Sequence, residues 1–459
     1  MLFKIIKQPV KVVFSFLVRR RVYFILLPLF YFVTKRVHSS SKNNPNNLKR
    51  SKTGLFALHP ELFRGDLEIL AGSGVYTVYK LSVWWQWQII DVFYPRSTSE
   101  AEVDPVITWY ESINSICLTS ESIEIQQFFS DFLPRYYKML NVDCVIVANI
   151  RYFPDLDWTY VSKKLCMPSL LIFRESVMLV EADYLVVRNR HASYKQLIVD
   201  FIIAHNHRLE KSFLDSGIVT RKQIRVCGNL RMDDFAQRVF NSPTETIDLP
   251  RQTKKRVVFI YLPKRFGRFR SDEYSEIHDA TLEVIVDLAK SMTDTDFVIR
   301  PKAQHLPTHK SGVVDPVSII EKICPEHMSM PNLSFDIYGD AHELILSADV
   351  VCGLLSTVLL ESALANKPVI IPFFDNFSRT EKGQIYPLKS HLHLFDVARN
   401  MEEFRQLILC RLETPSVHDS STQKGITELF EESVSIVDGC VFENTKRVIC
   451  EVIDAQNRA

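Results

Sequence analysis

The residues best placed by type and spacing to do chemistry lie in Ala348–Phe374, ADVVCGLLSTVLLESALANKPVIIPFF. An apolar strand pattern ends at Gly353, a tight turn follows, and Ser356 is suited to cap the helix that begins at Thr357. Backbone N–H groups at a helix start, joined by the hydroxyls of Ser356 and Thr357, can hold a phosphate or pyrophosphate. Glu361 lies one turn beyond Thr357 on the same face, where its carboxylate can accept hydrogen bonds from ribose hydroxyls. Asn366 can end the helix, and Lys367-Pro368 leads into the next buried strand. The chemistry on offer is nucleotide recognition. An ordinary capped helix with a solvated glutamate would have the same local sequence.

Other chemistries find less support. No G-x-G-x-x-G and no Gly-Lys-Ser/Thr occurs among the 13 glycines, so the dinucleotide fingerprint and the Walker A loop are both excluded. The nine cysteines form no C-x-x-C and sit mainly in apolar runs, as Cys144 and Cys352 do. That pattern implies buried thiols in a reducing compartment, with neither a disulfide framework nor a zinc site. His205-Asn206-His207 and His391-Leu392-His393 would each put two imidazoles on one face of a strand. A metal needs a third ligand, and none stands at a characteristic spacing. Asp155-Leu156-Asp157 has the D-x-D form, which chance supplies often. No metal is expected.

These residues must be positioned by elements that the apolar pattern outlines. Strand-like runs occur at Val75–Lys80, Cys144–Ile150, Leu170–Phe173, Tyr184–Val187, Phe201–Ala204 and Ile224–Cys227. Helical patterns at Ile123–Leu140 and Arg208–Leu214 alternate with them. The stretch 241–255, NSPTETIDLPRQTKK, breaks the alternation. Strands then resume at Arg256–Leu262, Asp296–Arg300, Leu333–Ile337, Asp349–Cys352 and Val369–Pro372. Helices are expected at Asp279–Ser291, Ala341–Ser347, Thr357–Ala365 and Met401–Leu412. Near-continuous apolar strands between helices predict parallel sheets covered on both faces. The expected fold is α/β, with two Rossmann-like doubly wound lobes at 51–245 and 246–459 whose strand-end loops converge on a cleft.

Residues 1–50 form a third region. The whole chain carries 55 Lys+Arg against 54 Asp+Glu, but the leader holds 11 of the bases and no acid. That leaves 44 basic and 54 acidic residues on the body, a net of −10. The leader's apolar runs, Val12–Val18 and Val22–Val33, flank Arg19-Arg20-Arg21, and each falls short of the ~20 residues of a spanning helix. An interfacial anchor on anionic lipid fits best, at the cytoplasmic face of a membrane. A targeting segment and a helix packed on the body are the alternatives. Residues 39–52 then form a polar linker.

The run HELILSADVVCGLLSTVLLESALANKPVIIP resembles the donor-site segment of GT-B glycosyltransferases, where a strand–turn–helix receives the donor's nucleotide. Cys227-Gly228-Asn229-Leu230-Arg231-Met232-Asp233 is similar to the G-N-x-R-x-D segment closing the N-terminal lobe of bacterial surface-polysaccharide transferases. Asp438-Gly439 followed by Arg447 resembles the ending of capsule and CDP-glycerol glycerophosphotransferase-type proteins. The resemblance covers about Phe201–Val452. It implies that Gly353, Ser356 and Thr357 sit at the donor phosphates and Glu361 at the ribose. Arg300-Pro301-Lys302 matches a family position often written R-P-H, with Lys302 in place of the histidine. Arg300 and Lys302, joined by Lys264, Arg265 and Arg268, would neutralise the diphosphate leaving group. The base would come from the acceptor lobe, with Glu175, His191 and His205 as candidates in strand-end loops.

The implied function is metal-independent transfer of a sugar from a nucleotide-sugar donor to a surface-glycan or lipid-linked acceptor, at a membrane held by residues 1–50. No nucleic acid is implied as a partner. Transfer from CDP-glycerol is the alternative, as is a non-catalytic, membrane-tethered binding protein of the same fold. A nucleotide-sugar 2-epimerase shares the fold, but its soluble substrate gives no use to a membrane leader.

Overall fold

The computed structural model describes residues 2–38, 52–63, 65–94, 104–115, 118–173, 181–241, 254–261, 272–301, 321, 325, 330–337, 339–414 and 418–458. The chain forms two compact units: Met1–Asp234 together with Ser435–Ala459, and Phe235–Val434.

The first unit is built on seven strands: β1 (Lys35–Arg36), β2 (Thr53–Leu58), β3 (Tyr76–Leu81), β4 (Cys144–Val147), β5 (Ser169–Ile172), β6 (Phe201–Ala204) and β7 (Ile224–Val226). Their order across the sheet is β1-β3-β2-β4-β5-β6-β7, and all neighbours are parallel except the β1 edge. Alternate residues of each strand feed two cores. Phe56, Leu58, Val145 and Val147 meet Phe128, Phe132 and Tyr136 of the helix Ser120–Leu140 on one face. Leu55, Ala57, Cys144 and Ile146 meet Leu67 and Leu70 of the helix Asp66–Gly72 on the other. Both faces are buried, which is why the strands carry unbroken apolar runs.

The second unit holds β8 (Lys255–Tyr261), β9 (Thr295–Pro301), β10 (Leu333–Phe335), β11 (Val350–Gly353), β12 (Val369–Pro372) and β13 (Asp396–Ala398). The order is β10-β9-β8-β11-β12-β13, parallel throughout. Two parallel-sheet α/β units are the fold class expected from the sequence.

Chain position and unit part company at the C-terminus. Residues Ser435–Ala459, grouped by sequence with the second lobe, belong to the first unit. Val441, Val448, Ile449 and Val452 of the helix Val441–Arg458 enter its core beside Cys144, Leu170 and Ile172. The motif around Gly228 explains the return. Gly228 has φ 92°, and a Cβ there would lie 2.7 Å from Val441 Cγ2 and 2.9 Å from Ile436 Cγ1. Next to it the Asn229 N–H donates to Ser435 Oγ at 2.8 Å, and the Phe442 N–H donates to Asp233 Oδ2 at 3.1 Å. The segment Gly228–Asp233 thus ties residues 435–442 to the first unit.

The leader is packed on the body, the alternative that its sequence left open. Helices α1 (Leu2–Arg19) and α2 (Tyr23–Val33) bury Phe14, Val18, Leu26 and Phe30 in the first core. Phe30 meets Phe132 and Trp85 edge-on, at 5.3 and 5.8 Å. Arg19 Nη2 donates to the Val92 carbonyl at 2.6 Å, and Arg21 pairs with Asp131 at 3.0 Å. Helical periodicity sends other apolar residues outward. Val12, Val13, Phe16, Phe24, Ile25, Tyr31 and Phe32 are exposed, Phe24 at 79% and Phe32 at 86%. Among the described residues no helix is long and apolar enough to cross a membrane.

One expected strand is a helix. Tyr184–Val187 lies inside Glu181–Tyr194, where Tyr184 is buried while Leu185 and Val186 face outward. A four-residue apolar run does not by itself distinguish strand from helix. Acids in the first turn complement the helix dipole.

Candidate functional site

In the second unit the strand order reverses between β8 and β11: the chain runs outward through β9 and β10, then returns to β11 on the other side of β8. Open α/β sheets take ligands beyond the carboxyl ends of the strands at such a point. β11 ends there at Gly353. A Cβ on Gly353 would lie 3.0 Å from Ile260 Cβ and 3.2 Å from the Ile260 carbonyl, so the two central strands approach at a distance that suits glycine.

The turn that follows is held at both ends. The Tyr386 hydroxyl, fully buried, donates to the Leu354 carbonyl. Phe373 and Phe377 pack on the Tyr386 ring at 5.1 and 6.3 Å, and Tyr274 on Phe377 at 5.1 Å. At the other end Ser356 caps the helix Thr357–Leu364, its Oγ accepting from the Val358 N–H at 3.2 Å. Ser356 and Thr357 are half-buried. The arrangement presents a helix start and two hydroxyls at the reversal point of the sheet, a setting that favours an anion.

The other expected donor residues are distributed differently. Glu361 is buried, its Oε2 3.5 Å from His342 Nε2, and the His342 ring stacks on Phe235 at 4.3 Å. Its carboxylate therefore bridges two helices of the unit. Arg300 sits at the end of β9, where Nη1 pairs with Asp336 Oδ2 at 2.8 Å and Nη2 donates to the Gly339 carbonyl at 2.7 Å. The Asp336 carboxylate balances its charge locally. Lys302, Lys264, Arg265 and Arg268 lie outside the described residues.

In the first unit Glu175 also lies outside the described residues. His191, expected in a strand-end loop, is on the helix Glu181–Tyr194, stacked on Phe213 at 4.1 Å and edge-on to Phe173 at 5.5 Å. Burial, with Arg190 and Arg151 nearby, pushes its pKa down to about 3. An imidazole that weakly basic and that enclosed is a packing group. His205 does follow β6, as expected, and is buried; its carbonyl accepts from the Ile436 N–H at 3.2 Å.

The D-x-D carboxylates divide. Asp157 accepts from Trp109 Nε1 at 3.0 Å, Tyr94 Oη at 3.1 Å and Gln126 Nε2 at 3.3 Å, and burial raises its pKa to about 6. Asp155 points elsewhere, to His59. His391 and His393 fall on a 3-10 helix, Lys389–Leu394, instead of a strand. Among the described residues no three His, Cys, Asp or Glu side chains are grouped to hold a metal. Of the described cysteines, Cys144, Cys227 and Cys352 are buried, with thiol pKa values raised by burial, while Cys166, Cys410, Cys440 and Cys450 are exposed.

The pattern missed Tyr386 and its aromatic neighbours. The signal was present in PFFDNF, where aromatics follow directly on the apolar strand β12.

No family model matches the chain, and no curated protein does. Solved structures give weak likenesses. UDP-GlcNAc 2-epimerase from Neisseria meningitidis, bound to UDP-GlcNAc, is 14% identical over 87% of this chain and 99% of its own, with a TM-score of 0.44. A second UDP-N-acetylglucosamine 2-epimerase is 14% identical over 89% of this chain and 98% of its own, at 0.48. The wall teichoic acid polymerase TagF is 13% identical over 90% of this chain and 91% of its own, at 0.44.

Proposed function

We propose that this chain is a glycosyltransferase that takes a nucleotide-sugar donor on its second unit and passes the sugar to a glycan or lipid-linked acceptor at a membrane. The carrying observation is the Ser356 turn: a capped helix start with two hydroxyls, at the reversal point of a parallel sheet. Transition-state charge in such a transfer builds on the leaving diphosphate, and preorganised N–H groups stabilise it there. Thermal-shift measurements with UDP, GDP, CDP and CMP test the reading. Wild type should be stabilised by one of them, and Ser356→Ala less so. Stabilisation by none would sink it. A response to CDP or CMP alone would move the donor to the CDP-glycerol class.

The membrane part of the proposal rests on the outward face of α1 and α2. Val12, Val13, Phe16, Phe24, Ile25, Tyr31 and Phe32 are exposed there, flanked by exposed Arg19, Arg20, Arg21, Lys35 and Arg36. Apolar side chains of that kind enter the headgroup boundary, and each nearby cation contributes about 1 kcal/mol toward anionic lipid. The opposite face is core, so deleting the leader would damage the first unit itself. Substituting Phe24→Ser and Phe32→Ser together avoids that. The pair should release the protein from phosphatidylglycerol vesicles with Tm unchanged. Undiminished cosedimentation would reject this docking face.

A further inference from the structure

Asp157 is a buried acid that the proposed transfer leaves unused. It lies on the helix Phe153–Lys164, closed off from solvent. Its hydrogen bonds come from neutral side chains on three other segments. Trp109 of the helix Pro105–Asn114 and Gln126 of the helix Ser120–Leu140 both donate to Oδ1, at 3.0 and 3.3 Å. Tyr94, at the end of the helix Val83–Phe93, donates to Oδ2 at 3.1 Å. The strands beneath bring Val145, Val147 and Leu171 to the same core, and Glu121 acts on Tyr94. Among the described residues no cation pairs with Asp157. A carboxyl so placed is costly in its charged form.

The joint is arranged for both protonation states. Tyr94 Oη also lies 2.9 Å from Ser122 Oγ, and either oxygen of that pair can be the donor. With Asp157 ionised, the Tyr94 hydrogen points to Oδ2 and Ser122 donates to Tyr94. When a proton from water adds to Oδ2, that O–H donates to Tyr94 Oη, and the Tyr94 hydrogen turns to Ser122 Oγ. Trp109 and Gln126 keep Oδ1 in both states, so each carboxyl oxygen retains a partner. What the joint holds is the helix of Trp109. Its next residue, Tyr110, donates to the Ile150 carbonyl beyond β4 at 2.9 Å and stacks on Tyr194 at 4.2 Å. Burial drives the Tyr110 pKa far up, so that contact does not titrate near neutrality.

We propose that Asp157 is a proton-operated latch for the helix Pro105–Asn114, holding it more firmly when protonated than when ionised. Burial is the cause. The closed joint keeps the acid's pKa at about 6, whereas an opening that admits water returns it toward 3.8. The proton-bound form therefore favours the closed joint. That preference is complete below pH 3.8 and is lost as pH rises through 6. Between pH 5 and pH 7.5 the opening constant should rise about tenfold. His191, on the neighbouring helix Glu181–Tyr194, titrates with the opposite sign, so a substitution at Asp157 is needed to separate the two. The latch lies wholly in the first unit and is independent of what the Ser356 turn binds.

Two measurements on the full chain test it. Hydrogen exchange, read as protection factors in residues 104–115, follows the helix. Asp157→Asn copies the protonated acid, its amide donating to Tyr94, and should remove a loss of protection of about tenfold that wild type shows between pH 5 and pH 7.5. The helix Met401–Glu413, in the second unit, is the reference and should respond to pH alike in both proteins. Infrared difference spectra over the same range follow the proton itself. Wild type should show a protonated-carboxyl band at pH 5 that Asp157→Asn lacks. Tyr94→Phe removes a donor that favours the ionised form, so the midpoint of that band should rise. Equal pH dependence of residues 104–115 in wild type and Asp157→Asn, no Asp157 carboxyl band, or a midpoint unmoved in Tyr94→Phe would overturn the latch.

Discussion

Both sheets reverse strand order, yet the chain leaves the two reversal points by different routes. In the second unit β11 ends on Gly353 and enters a helix capped by Ser356. In the first, β2 ends and His59 turns left-handed into the three-residue helix Pro60–Leu62, while the exit of β4 brings up the buried Asp155. One edge offers N–H groups and hydroxyls, a setting for an anion. The other brings an imidazole to 3.5 Å from a buried carboxylate. The same topology therefore presents two different sets of groups, because the exit residues, not the sheet, determine what stands at the edge.

The contrast can be broken most forcefully at Gly353. Gly353→Val would force a branched side chain against Ile260 and should cost about 3 kcal/mol, seen as a lower urea midpoint together with loss of nucleotide stabilisation. An unchanged midpoint would mean that the second edge has slack. Tyr386→Phe leaves the buried Leu354 carbonyl without its donor and should cost about 1–2 kcal/mol. Its nucleotide response should weaken too, since the turn is held from that side. Ser356→Ala removes the cap, about 1 kcal/mol of stability, and with it one of the two hydroxyls offered to an anion, so its nucleotide shift should fall by more than its Tm does.

A pH series makes the smallest and most selective comparison. The fold holds His191 at a pKa near 3 and His278 near 4, both through burial, against 6.5 for the unfolded groups. The neutral rings are the favoured forms. Their contribution is complete above pH 6.5 and is lost as pH falls toward those values. Asp157 has the opposite sign: raised from 3.8 to about 6, it favours the fold most below 3.8 and loses that advantage as pH rises through 6. Denaturation midpoints from pH 4 to 7 should therefore depend less steeply on pH in His191→Phe than in wild type. An unchanged slope would show that His191 titrates normally and is not enclosed.

Much of the framework was legible because continuous apolar runs bounded by breakers have few readings. The strands Phe201–Ala204 and Val369–Pro372 and the helix Ala341–Ser347 occur with the expected bounds. The turn from Gly353 to Thr357 was legible for the same reason, since strand, cap and helix lie adjacent in sequence. Tyr184–Val187 was not, because four apolar residues fit either period. Nor was β2, whose TGLFAL mixes glycine and alanine into a short run. Without that strand the reversal point of the first sheet had no place in the pattern, and the candidates for a base were drawn from residues near the clearer strands.

By itself, then, the sequence determined what is encoded locally: the alternation that yields two parallel sheets, the capped turn at Ser356, and a basic, apolar leader on an acidic body. Tertiary structure alone decided the rest. It divided the leader into an inner face that is core and an outer face that is not. It brought Val441–Arg458 back to the first unit across the Gly228 turn, and it separated Asp155 from Asp157 by giving them different neighbours. The physical reason is the same in each case. Burial and hydrogen-bond partners depend on which distant segments the fold makes adjacent, and local spacing carries no record of them.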